Sequence, residues 1–300
     1  MRALSIFLTL FITAACMPRK APIVVSGSNT MFNMAERVAS AFMRENSAVT
    51  VTIQGGGSLE GLKDFERGEA DIALMSRELE PEEVERLKRG GAIEQITLAY
   101  DGLAVVVHKD NPLKSIRLLQ LSQIFSGEIR DWKDVGGAPG PIIVLVRNDK
   151  SGTYEYFRKH VVRRFDLGGN EARKASENDF TRTAIVLRDN DEMAEAIEKG
   201  KGAIGFMGMG QVTVEHKDQV RPLAYAVQPG DPLITPSLEN VYNGTYPLSR
   251  PLFMIYRTGA PARVLDFITF ATSEAGQKLV MGSGYLRNSL PEVRVSGKKL

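Results

Sequence analysis

Residues 23–61 read IVVSGSNTMFNMAERVASAFMRENSAVTVTIQGGGSLEG, and this stretch decides the fold. Ile23-Val24-Val25 is a short apolar run suited to a buried strand. After a polar turn, Met31, Met34, Val38, Ala41 and Phe42 recur at helical spacing up to Glu45. Val49 to Ile53 alternates with Thr50 and Thr52, the pattern of a half-buried strand. A glycine-rich turn then leads to Leu59, Leu62 and Phe65, a short helix that stops before Gly68. Strand, turn and helix alternating in this way predict an α/β domain with a parallel or mixed sheet.

The same alternation continues in both directions. Asp71 to Met75 reads as a strand, and Pro81 opens a charged helix, Glu82 to Arg89, ending at Gly90-Gly91. Glu94 to Tyr100 is strand-like. The pattern shifts after Asp101-Gly102, and Leu103 to His108 reads as a strand leading away. Further on come Leu118 to Phe125, a strand at Ile142 to Val146, a helix after Ser151, a helix at Asp191 to Lys199 and a strand at Ala203 to Met207. Leu252 to Tyr256 reads as a strand, followed by helices over Pro261 to Thr272 and Ser273 to Met281. The expected organisation is two lobes. The first holds residues 23–103 and the returning segment 251–300, and the second holds 104–250.

The beginning of the chain looks like a targeting segment. Arg2 precedes an apolar run from Leu4 to Ile12, then small residues Thr13-Ala14-Ala15, then Cys16. That is the layout of a secretory signal over residues 1–15. Cys16 is the single cysteine, so no intrachain disulfide can form. The position resembles a bacterial lipobox, with Thr13 where that pattern prefers leucine, and implies lipidation of Cys16 and a tether over 16–22. The alternative is an ordinary cleaved signal with a free thiol nearby. After Ala15 no stretch reaches the roughly 20 apolar residues of a membrane span. The folded part is therefore expected outside the cytoplasm, in the periplasm or at the cell surface.

Composition is that of a globular protein, 43% hydrophobic and 25% charged, with a formal net charge of +2 over 300 residues. Such a balance argues against a nucleic-acid partner. The one basic run, Lys159 to Arg164, reads as the solvated face of a helix.

Three segments share a design that suits an anion: Ser26-Gly27-Ser28-Asn29-Thr30, Gly55-Gly56-Gly57-Ser58-Leu59-Glu60-Gly61, and Arg147-Asn148-Asp149-Lys150-Ser151-Gly152-Thr153. Each follows a strand and puts small residues and hydroxyls where a helix begins. There the first N–H groups lack helical partners and the dipole is positive. Any one of them could be plain capping, since Ser, Thr and Asn are preferred N-caps. Arg147 adds a fixed charge and a planar donor fork, or else forms a surface ion pair with Asp149.

Enzyme motifs fail on inspection. The glycine-rich turn lacks the lysine of a nucleotide-binding loop, and Glu60 stands where a nucleophile elbow needs glycine. His108, His160 and His216 lie in no metal-ligand spacing. No catalytic set, metal site or cofactor is expected.

Together with Asp71 to Leu79 and Gly244-Thr245-Tyr246-Pro247-Leu248-Ser249-Arg250-Pro251-Leu252, these three turns resemble the PstS-like phosphate-binding proteins, in order and over nearly the whole mature chain. The resemblance implies a two-lobed α/β periplasmic-binding-protein fold of the type II class, with inorganic phosphate in the interlobe cleft. It implies no catalysis and delivery to the permease subunits of an ABC transporter. By motif, the ligand-facing positions are Ser28, Thr30, Met31, Ser58, Ser76, Arg147, Ser151, Gly152 and Thr153. Several family members carry an aspartate where this chain has Ser76, followed by Arg77.

A serine can turn from acceptor to donor, so another carboxylate is expected to accept the phosphate O–H. Asp101 is the first choice, against the alternative that it caps a turn before Gly102. Asp149 is second and is expected to orient Arg147. The rival functions are a receptor for another tetrahedral oxyanion, a phosphate sensor and, further off, an extracellular phosphatase. The expected state is a monomer anchored to a membrane through Cys16.

Overall fold

A computed structural model describes residues 21–167 and 169–289. Its first elements are β1 (Ile23–Gly27), α1 (Phe32–Glu45), β2 (Val51–Gln54), α2 (Ser58–Arg67), β3 (Ile72–Met75), α3 (Pro81–Lys88) and the long strand β4 (Ile93–His108). There follow β5 (Ser115–Arg117), α4 (Leu118–Ser126), β6 (Ile143–Arg147), α5 (Gly152–Phe157), α6 (Gly169–Ala175), β7 (Ile185–Leu187), α7 (Asn190–Lys199) and β8 (Ala203–Gly208). The last described elements are β9 (Val220–Pro222), β10 (Ala224–Ala226), α8 (Leu238–Tyr242), β11 (Ser249–Arg257), α9 (Ala262–Thr272), α10 (Glu274–Gly282) and β12 (Leu286–Arg287). Cys16 and the segment before it lie outside the described residues. Among the described residues, no helix is long and apolar enough to cross a membrane.

The sheet is mixed, in the order β2-β1-β3-β11-β4-β8-β6-β7. β1 pairs parallel with β2 and β3, and β11 lies antiparallel between β3 and β4. β4 runs the length of 16 residues and changes neighbours part-way. From Ile93 to Gly102 it pairs with β11, and from Leu103 to Val107 it pairs with β8. β4 and β11 therefore join two halves, each with its own core.

In the first half, Met34, Val38 and Phe42 of α1 bury the apolar stripe visible in the sequence, against Ile23, Val25 and the returning α9 residues Val264, Phe267 and Ile268. The Phe42 and Phe267 rings meet edge to face at 5.3 Å. In the second half, Phe157 stacks on Phe206 at 4.1 Å, and Phe125 packs against both. Each such side chain stabilises the fold by about 1.5–3 kcal/mol through the apolar area it removes from water.

Two local expectations change. Asp101-Gly102 makes no turn, because both residues sit inside the continuous β4. Gly102 is needed for packing: a Cβ there would stand 2.4 Å from the Met209 methyl and 2.7 Å from Val241. The basic run after Lys159 is not a purely solvated face either. Arg158–Val162 forms a single π-turn that buries Val161 and Val162 while Lys159 pairs with Glu80.

Gly61 fixes how closely α2 approaches β1. A Cβ at that position would lie 2.3 Å from Gly27 Cα and 2.4 Å from the Ser26 carbonyl oxygen, both backbone atoms that cannot swing aside. Gly61→Ala is expected to destabilise the protein by about 1–3 kcal/mol through overpacking. Denaturant unfolding reads this directly, and an unchanged midpoint would show that α2 can lift away freely.

Candidate functional site

The three polar turns converge where the halves meet. Gly57 approaches the backbone of the opposite half so closely that a Cβ would sit 2.5 Å from the Lys150 carbonyl oxygen, and its φ of +102° suits glycine. The Leu59 N–H donates to the same carbonyl at 3.0 Å, and Lys150 Nζ reaches Glu60 at 3.0 Å. Gly152, at the start of α5, faces Ser58 and Ser76. Its missing Cβ would meet their Oγ atoms at 2.4 and 2.7 Å.

Around these contacts lies a set of buried hydroxyls. Thr30 Oγ1 and Thr153 Oγ1 are 2.9 Å apart, one from each half. Ser58 Oγ is 3.2 Å from Ser76 Oγ and accepts the Ser76 N–H at 3.1 Å. Ser28 Oγ is buried without a hydrogen-bond partner, although its N–H donates to the Leu74 carbonyl. A buried hydroxyl left unmatched is costly, so this oxygen is suited to pairing with a bound polar group. Ser151 is the capping residue that its sequence context allows, with Oγ accepting the Tyr154 N–H. Met31 sends its side chain into the first core, and its N–H donates to the Ser28 carbonyl.

Two arginines supply the charge. Arg147, at the end of β6, is 1% exposed. Nη1 donates to Asn190 Oδ1 at 2.7 Å and Nη2 to the Arg188 carbonyl at 2.8 Å, while Nε has no partner. Asn190 in turn donates to Gln211. Asp149 is exposed, so it does not orient Arg147 as the sequence suggested; Asn190 and the Arg188 carbonyl do so from inside. Burial, with Arg250 adding to it, pulls the Arg147 guanidinium down to about 10, which leaves it charged at neutral pH.

Arg250 is the second. It sits on β11 directly opposite Asp101 on β4 and is likewise 1% exposed. It donates to Asp101 Oδ2 at 3.1 Å, to Thr153 Oγ1 at 3.0 Å and to the Ser76 carbonyl at 2.9 Å. Asp101 Oδ1 accepts the Met209 N–H at 3.0 Å. Burial pushes the Asp101 carboxyl up, against the downward pull of Arg250 and the backbone donors. Asp101 thus touches the hydroxyl cluster through Arg250.

Sequence reasoning did not select Arg250, Asn190 or Gln211. Arg250 lay inside the quoted Tyr246–Leu252 motif, whereas Asn190 and Gln211 carry no local signal because they matter only through the fold. With two guanidiniums against one carboxylate and the five hydroxyl side chains of Ser28, Thr30, Ser58, Ser76 and Thr153 beside them, the cluster can hold a compact oxyanion in a dry setting.

Residues 13–275 match the model of a PBP superfamily domain. The chain is 33% identical to Protein SphX of Synechococcus elongatus, over 86% of this chain and 75% of that protein. It is 30% identical to the phosphate-binding protein PstS of Pseudomonas aeruginosa, over 87% of this chain and 81% of that one. A substrate-binding protein with bound phosphate from Clostridium perfringens superposes with a TM-score of 0.75 at 28% identity, covering 89% of this chain and 99% of its own. An ABC-type phosphate transport receptor from Vibrio cholerae gives 0.69 at 30% identity, covering 88% and 99%. A chain with this two-lobed α/β architecture, this interlobe cluster and these relatives belongs to the PBP superfamily and, within it, to the PstS-like substrate-binding proteins, which are transport proteins and not enzymes.

Proposed function

We propose that this protein captures inorganic phosphate outside the cytoplasm and delivers it to the permease of an ABC transporter. The observation that carries the reading is the buried interlobe cluster of Arg147, Arg250, Ser28, Thr30, Ser58, Ser76 and Thr153, at least one of whose hydroxyls lacks a partner. The names of the relatives point the same way. The two halves hinge where β4 and β11 run between them, with lobes of 23–103 plus 251–300, of which 290–300 lie outside the described residues, and 104–250. Closure removes water and replaces phosphate's hydration with fixed donors.

Calorimetry on protein stripped of endogenous ligand tests the proposal, with phosphate, arsenate and sulfate titrated in parallel. Saturable phosphate binding is expected. A protein that ignores phosphate but takes sulfate would establish the rival oxyanion reading, for which the engaged state of Asp101 is the supporting feature. Turnover of a phosphomonoester would make it an enzyme.

The anchor is part of the same proposal: a monomer tethered by lipid on Cys16. Mass spectrometry of the mature N-terminus from the native host is expected to find diacylglycerol on that cysteine. A mature chain starting elsewhere, or an unmodified thiol, would end the anchoring claim.

A further inference from the structure

Arg250 does more than neutralise Asp101. Its guanidinium reaches three strands or helices at once: β4 through Asp101, the end of β3 through the Ser76 carbonyl, and α5 through Thr153. The first two belong to the half that contains β1, and the third to the half that contains β6. The Tyr156 ring lies 5.5 Å from the guanidinium carbon, and the Tyr156 hydroxyl is tied to the Ser249 carbonyl at 2.9 Å. The head group therefore has little freedom to turn.

The direction of these bonds matters. A guanidinium only donates, so the Thr153 oxygen must accept from Arg250. Thr153 also bonds Thr30 at 2.9 Å. If Thr30 donates to Thr153, both lone pairs of Thr153 are filled and its own hydrogen is left to point elsewhere. If Thr153 donates to Thr30, the free hydrogen is that of Thr30. In either arrangement the pair retains one hydroxyl hydrogen for an anion, and Thr153 has lost acceptor capacity.

We propose that Arg250 is a positioning residue of the ligand site, which holds the Thr153–Thr30 hydroxyl pair as a hydrogen donor to the bound oxyanion across the interlobe junction. The inference rests on the phosphate-capture reading. It predicts that Arg250 and Thr153 act on phosphate affinity as one unit.

The test is a double-mutant cycle read by calorimetry with phosphate, using Arg250→Lys, Thr153→Val and the double variant, with thermal unfolding recorded for each. Each single variant is expected to lose about tenfold in affinity, about 1.4 kcal/mol. The double variant is expected to lose little more than the worse single, because the second change removes a group whose function is already gone. Thr153→Ser, which keeps the hydroxyl, should restore most of the affinity. Losses that simply multiply would overturn the proposal, as would an Arg250→Lys protein that melts early yet binds phosphate normally. Should Arg250→Lys not fold, Asp101→Asn with Arg250→Gln takes its place, since that combination leaves no charge buried alone. Additivity of this combination with Thr153→Val would likewise overturn the inference. Failure of the unsubstituted protein to bind phosphate sinks the functional reading and this inference together, whereas phosphate binding without coupling sinks only the inference.

Discussion

Arg147→Ala is expected to weaken phosphate binding by about 2–5 kcal/mol, the range for removing one partner of a buried charge-assisted contact. The side chain is enclosed and held from behind by Asn190 and the Arg188 carbonyl, so its cation is fixed before any ligand arrives. Little ordering is left to do on binding, and the whole contact is lost on truncation. Arg147→Lys should recover only part, because an ammonium cannot keep both rear bonds and still present a flat donor edge. Calorimetry with phosphate distinguishes these outcomes. A change of a few tenths of a kcal/mol would place Arg147 in a structural role only.

Asp101→Ala is expected to cost about 3–5 kcal/mol of folding stability, since it leaves the Arg250 cation buried without its counter-charge. The pair is 1% and 0% exposed at 3.1 Å, so water cannot take over. Guanidinium unfolding reads the loss. Asp101→Asn keeps an acceptor for the Met209 N–H and should cost less. If Asp101 also decides between phosphate and sulfate, in place of a carboxylate at the position that Ser76 occupies, Asp101→Asn should shrink that preference at least tenfold, about 1.4 kcal/mol. Unchanged preference would confine Asp101 to holding Arg250.

Much of the fold was legible because its signals are local. The stripe Met34, Val38 and Phe42 marked α1 and its buried face, and Gly68 marked the end of α2, where it adopts a left-handed conformation. The three anion-friendly turns were also local, each a strand end followed by small residues. What stayed hidden is non-local. Asp101-Gly102 has the composition of a turn, yet both residues pair with Arg250 and Ser249 of β11, about 150 residues away, inside one continuous strand, and the methyls of Met209 and Val241 fill the space beside Gly102. Asn190 is an ordinary first-turn residue of α7 until β6 sets Arg147 against it. Asp149 is Arg147's neighbour in sequence but points into solvent, which is why adjacency misled.

The placement of β11 has a consequence for how the molecule comes into being. This strand fills the gap between β3 and β4, yet it is formed by residues 249–257. The amino-terminal lobe cannot complete its sheet until nearly all of the polypeptide has emerged, whether from a ribosome or from an export channel. Contacts of such long sequence separation slow folding, because a large loop must close before they contribute anything. A chain threaded outward from its first residue would thus remain loose during passage and become compact only once its tail arrives.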